Sequence, residues 1–135
     1  MLSIYPHQLK DWASSSTAAV YFEGEFLTGS NQLFVYPVKL PVGARVTQLK
    51  VWAMSNDGDG YARLTRVKDG YTYSQATDDL AAVHLNNWPS TQWSLLEDVA
   101  DGPAPTRIAT GYRYYLRVNP VDVRVGTIQI IYTTP

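Results

Sequence analysis

The stretch Tyr112-Arg113-Tyr114-Tyr115-Leu116-Arg117-Val118-Asn119 decides the fold class. Tyr112, Tyr114, Leu116 and Val118 alternate with Arg113, Tyr115, Arg117 and Asn119. Successive side chains on a strand point to opposite faces, so this period of two gives a ribbon with one apolar and one polar face. Working outward, the same grammar recurs. Residues 45–54 put Thr47, Leu49, Val51 and Ala53 on one side and Gln48, Lys50 and Trp52 on the other. Residues 32–40 put Phe34, Tyr36, Val38 and Leu40 together, with Pro37 inside the run. A proline has no N–H to give to a ladder, so this strand belongs at an edge or carries a bulge. Residues 121–134 read as a last strand pair or one long bulged strand, ending in Ile128-Gln129-Ile130-Ile131-Tyr132.

Turn residues punctuate these runs at Thr28-Gly29-Ser30-Asn31, Pro41-Val42-Gly43-Ala44, Lys68-Asp69-Gly70 and Asp101-Gly102-Pro103-Ala104-Pro105. Asn56-Asp57-Gly58-Asp59-Gly60 is a hairpin signal, since Asn, Asp and Gly tolerate the positive φ of tight turns, and residues 61–67 then return as the partner of 45–54. Residues 17–22 read as a first strand and 93–99 as another. Residues 74–87 are ambiguous: Ser74 is placed to cap a helix over 75–82, while 80–85 also serves as a strand. About eight strands at spacings near ten residues predict an all-β fold, an antiparallel β-sandwich or jelly roll. It occupies 17–135 as one domain. Residues 1–16 read as an extended N-terminal arm, because Pro6 and Ser14-Ser15-Ser16 break regular structure.

A chain of 135 residues buries roughly two-thirds of its unfolded surface, enough for a core without metal or disulfides. The apolar fraction of 45% with 17% charged is ordinary, whereas ten Tyr, four Trp and three Phe are a surplus of rings suited to strands, interfaces and sugar stacking. The net charge of −1, with eleven Lys and Arg scattered singly, lacks the electrostatic footprint of a nucleic-acid binder. No cysteine is present, which excludes thiolate metal sites, a Cys nucleophile and disulfides. Apolar stretches fall far short of the ~20 residues of a membrane helix, so no membrane insertion is expected. The N-terminus lacks the apolar core of a signal peptide, which implies a mature, non-secretory or pre-trimmed chain.

Catalytic signatures are missing. His7 and His84 belong to no metal-ligand pattern, and neither a Gly-x-Ser-x-Gly elbow nor a phosphate-cradling glycine loop occurs. Glu23 and Glu25 would share a face of a strand, and Asp78 and Asp79 are adjacent, but acids at strand ends are ordinarily solvated. The chain is therefore expected to be no enzyme and to need no cofactor. Asn56, Asp57 and Asp59 place oxygen ligands at intervals around glycine, as calcium loops do. No bidentate Glu closes the loop, so a plain turn is preferred over a calcium site. Trp52, Tyr61, Tyr71, Tyr73, Trp88 and Trp93 cluster around loops and strand ends, where exposed rings stack on a sugar or anchor in a partner. Ile4, Tyr5, Leu9 and Trp12 are large apolar groups in the arm, and they are expected to dock, either on their own sandwich or, the favoured reading, on a neighbouring protomer.

Three segments resemble a family of small β-sandwich modules that cap phage tail fibres and collagen-like bacterial surface proteins. They are Leu40-Pro41-Val42-Gly43-Ala44-Arg45-Val46-Thr47-Gln48-Leu49 with its strand up to Ser55-Asn56-Asp57, Gly111-Tyr112-Arg113-Tyr114-Tyr115-Leu116-Arg117-Val118, and Gly126-Thr127-Ile128-Gln129-Ile130-Ile131-Tyr132-Thr133. The resemblance implies a jelly roll that assembles as a homotrimer, in contact with other virion or surface proteins, and it carries no catalytic residues. The leading expectation is thus a non-enzymatic structural or attachment module of a phage virion (tail fibre, spike or capsid decoration) or of a cell surface. The alternative is a carbohydrate-binding module or lectin that uses exposed Trp and Tyr, with calcium assistance at residues 56–60.

Overall fold

The computed structural model describes residues 1–5, 10–11, 21–23, 26–28, 34–55, 60–71, 77–85, 94–119 and 123–135. Among the described residues the chain forms eleven strands and no helix. Four are short: β1 (Leu2–Ile4), β2 (Lys10–Asp11), β3 (Tyr21–Glu23) and β4 (Phe26–Thr28). The others are β5 (Phe34–Val38), β6 (Arg45–Ser55), β7 (Tyr61–Lys68), β8 (Thr77–His84), β9 (Ser94–Val99), β10 (Tyr112–Asn119) and β11 (Val123–Thr133). One sheet of six runs β3-β4-β11-β6-β9, with β1 also on β11, and a second of five runs β2-β5-β10-β7-β8. Every pairing is antiparallel. The expected β-sandwich is what forms.

The alternation in the sequence explains the core. Leu49, Val51 and Ala53 of β6 and Ile128 and Ile130 of β11 point inward from the six-stranded sheet, and Phe34, Leu64, Leu116 and Val118 point inward from the other. All are essentially removed from water, and each large aliphatic or aromatic side chain so buried contributes roughly 1.5–3 kcal/mol. Pro37 pairs with Tyr115 of β10, whereas β2 covers only Phe34 and Val35. The proline therefore stands where its missing N–H breaks no described ladder, as an edge position requires.

Bulges set which side chains reach the core. Opposite β11, the register slips at Thr47, and it slips again at Gly126-Thr127 of β11. Thr47 accordingly faces water while Val46 and Leu49 are both buried, which corrects the strict alternation expected to place Thr47 with Leu49. Val125 and Ile128, three residues apart, are likewise both buried. The reading of 121–134 as one long bulged strand holds.

Two further expectations are corrected and one open alternative is resolved. Residues 61–67 do not return as the hairpin partner of 45–54, because β6 lies in the six-stranded sheet and β7 in the five-stranded one. A turn signal specifies a reversal of direction, not the sheet the chain enters next. The chain in fact changes sheet from β5 to β6, β6 to β7, β8 to β9, β9 to β10 and β10 to β11, the crossing habit of a jelly roll. Residues 77–84, which the sequence leaves open between helix and strand, are a strand, paired along β7. Residues 2–4 belong to the sandwich rather than to an arm apart from it: Leu2, Ser3 and Ile4 pair with Ile130, Gln129 and Ile128 of the same chain. Ile4 is buried in that chain's own core, and Tyr5 beside it is exposed. Leu9 and Trp12 lie outside the described residues.

Candidate functional site

The candidate site is the outward face of the five-stranded sheet, which β7, β8 and β10 furnish with side chains that alternate against the core. Register places Tyr61 between Asn119 and His84, Arg63 between Arg117 and Ala82, and Thr65 between Tyr115 and Asp79. Asp79 reaches this face because of a bulge. Leu64 pairs with Ala81 but Thr65 pairs with Asp79, so Leu80 is an extra residue and the strand changes parity across it. Leu80 and Ala81 both stay in the core, and Asp79 is turned outward.

The bulge is held from the loop after β9. Gly102 N donates to Leu80 O at 3.0 Å and Ala104 N donates to Asp79 O at 3.1 Å. A Cβ on Gly102 would collide with the Asp79 carbonyl oxygen, so glycine is required here by close approach of two backbones.

Thr65 is the centre of the polar network. It is fully buried; its hydroxyl donates to Asp79 Oδ1 at 2.7 Å and accepts from Arg117 Nε at 3.1 Å. Asp79 also stands 3.6 Å from Arg117 Nη2 and 3.7 Å from Arg63 Nη1. Arg63 lies over the Tyr61 ring at 4.3 Å, within cation–π range. Burial pushes the pKa of Arg117 down from its ordinary value, with the Tyr61 oxygen opposing that shift and the Arg63 charge adding to it. Among the described residues Arg63 Nε and Asn119 Oδ1, both flanking Tyr61, are buried without a hydrogen-bond partner. A buried polar atom left unpaired costs about 1–3 kcal/mol; a third such atom, Arg66 Nε, lies on the opposite face of β7.

Chemically, this face offers a carboxylate acceptor between two guanidinium donors, with a ring at its side. A sugar hydroxyl both donates and accepts, so it is matched by such an interleaved set. Acid–base chemistry is not what the arrangement offers. Asp78 and Asp79 take opposite faces, Asp78 pairing with Arg66 at 3.5 Å and Asp79 with the arginines named above. His84 is exposed next to Tyr61. Among the described residues no group of three or more His, Asp and Glu is placed to hold a metal ion.

Among the described residues, the aromatic side chains singled out in the sequence, Trp52, Tyr61 and Tyr71, do not form one patch. Tyr61 is on the outward face just described, whereas Trp52 alternates with buried Val51 and Ala53 and faces out from the opposite sheet, paired with exposed Leu95. Tyr71 is exposed in the turn after β7, its carbonyl held by Arg113 Nη2 at 2.6 Å. Tyr73, Trp88 and Trp93, the calcium candidates Asn56, Asp57 and Asp59, His7 and Glu25 lie outside the described residues, as does the side chain of Glu23. Sequence reading missed Arg63, Thr65 and Arg117. The available signal was an arginine pair on the polar side of two central strands, where solvated charges would ordinarily sit nearer an edge.

No family model matches the chain, and no curated protein matches its sequence. Solved structures do share the fold. A xylan-binding CBM22 domain of Xyn10C from Paenibacillus barcinonensis superimposes with a TM-score of 0.61 at 15% identity, over 93% of this chain and 92% of that one. The C-terminal CBM6 of LamC from Zobellia galactanivorans gives 0.58 at 12% identity, over 96% and 97%. A carbohydrate-binding module of lichenase 5A from Cellvibrio mixtus, solved with cellotriose, gives 0.54 at 12% identity, over 98% of each chain. The chain therefore has the β-sandwich fold of these modules along nearly its whole length.

Proposed function

We propose that the protein is a non-enzymatic carbohydrate-binding module and that it holds a glycan against the outward face of the five-stranded sheet. The observation that carries this reading is the interleaved set Arg63, Asp79 and Arg117 beside the Tyr61 ring. The solved structures of the same fold support it, since they are modules that bind xylan or cellotriose. This reading takes precedence over the homotrimeric virion part implied by the tail-fibre resemblance. An extracellular or surface location goes with this reading.

Affinity electrophoresis through gels containing xylan, mixed-linkage glucan or laminarin tests the proposal, with chelator added in parallel lanes to reveal any calcium assistance. The wild-type protein is expected to be retarded by at least one polymer. Asp79→Asn, which keeps the shape but removes the charge, is expected to run unretarded. A blank panel, or retardation unchanged in the variant, overturns the assignment of this face.

A further inference from the structure

We propose that the groove between residues 37–42 and 108–115 takes an acidic saccharide, with Lys39 and Arg113 receiving its anionic group. The inference rests on the glycan-binding reading and extends it to a ligand class. The groove has a volume of about 420 Å³, within the range of small-molecule sites. Pro37, Leu40, Val42, Ile108, Tyr112 and Tyr115 supply its apolar wall, and among the described residues its charged lining is Lys39 and Arg113, with no carboxylate.

Its shape is set by the fold rather than by loops alone. Val38 and Pro37 pair with Tyr114 and Tyr115, and the Tyr114 hydroxyl accepts from Ala109 N at 3.0 Å, tying the far wall to the floor. Arg113 is aimed by two contacts: Nη2 donates to Tyr71 O at 2.6 Å, and Nη1 lies 3.5 Å from the Tyr115 hydroxyl. Asp69 stands 3.7 Å from Arg113 Nε, but both side chains are about half in water, so this pairing competes weakly with a ligand anion. Lys39 is exposed and, among the described residues, enters no ion pair.

Two cations facing a ring-lined groove without an acid select against nothing in a neutral sugar, yet they reward a carboxylate or sulfate on one. Arg113, Tyr115 and Arg117 project from the same side of β10. Four residues of strand at about 3.3 Å each separate the two arginines, so one chain lying along β10 would span the groove and the Asp79 network.

Calorimetric titrations with three tetrasaccharides of equal length decide it: a uronate, a sulfated and a neutral one. The acidic ligands, or one of them, are expected to bind at least about tenfold tighter than the neutral one. Lys39→Gln combined with Arg113→Gln is expected to erase that difference while Asp79→Asn weakens all ligands alike. A uronate preference without a sulfate preference, or the reverse, identifies the anion. Equal binding of neutral and acidic ligands, or a preference that survives the double substitution, overturns the inference and leaves the glycan-binding reading standing. No binding of any saccharide overturns both. If the double variant melts early, Lys39→Gln alone serves, because its side chain is exposed, and an undiminished preference in it is equally fatal.

Discussion

The Asp98 carboxylate, on the outermost strand of one sheet, accepts a hydrogen bond at 2.9 Å from the backbone amide of Ala82, on the outermost strand of the other. An edge strand offers unpaired amides to any passing chain. Here one of them is taken by a charged acceptor that also ties β8 to β9. Asp98→Ala is expected to cost about 1.5–3 kcal/mol, the range for hydrogen bonds to charged groups. It should also raise self-association at high concentration. Urea unfolding and light scattering check both, and an unmoved midpoint would show the contact to be idle.

Thr65→Val replaces the hydroxyl at the centre of the outward network by a methyl group of similar size. It leaves Arg117 Nε and Asp79 Oδ1 short of a partner in a buried place. The expected loss is about 1–3 kcal/mol of stability, together with weaker glycan binding. Thr65→Ser keeps the hydroxyl and should retain most of the binding, which separates the network's role from simple packing.

Gly102→Ala drives a methyl group into the Asp79 carbonyl. Overpacking of this kind costs about 1–3 kcal/mol, and the two amide contacts onto the bulge must lengthen to relieve it. The affinity for glycan should fall although residue 102 bears no side chain toward the ligand. Calorimetry on the folded variant measures this; full affinity would show that the bulge is held without the loop.

Ile4→Ala empties a fully buried position between the sheets, for which losses of about 2–5 kcal/mol are usual. The effect should be the same at every protein concentration, because β1 pairs with β11 of its own chain. A denaturation midpoint that moved with concentration would restore the exchanged arm.

The strands were legible where pattern and pairing coincide. Tyr114, Leu116 and Val118 are buried and Arg113, Tyr115 and Arg117 face outward, as their alternation requires. The partners of those strands were not legible, because Asn56 to Gly60 carries the chemistry of a bend and says nothing of which sheet receives Tyr61. The site was hidden for a related reason. Thr65 and Asp79 meet across fourteen positions only because Leu80 shifts the parity of β8, and no periodicity marks a single extra residue in advance. Ile4 is buried in its own core, but the three-residue strand carrying it is too short to show a period.

The extra residue at Leu80 gives this protein two separate axes of variation. Substitution changes which group stands on the binding face. Keeping or losing the bulge changes which face the group stands on, while composition, net charge and the identity of every side chain stay as they were: in plain alternation from Ala81, Asp79 would turn toward the core and strand a carboxylate there. A chain shortened by Leu80 alone would be expected to keep Ala81 inward and Asp79 outward opposite Thr65, losing one core side chain and not the network. Relatives one residue shorter at this point should therefore present the same aspartate on the same face, and pairing register, rather than spacing in the sequence, is the quantity to align.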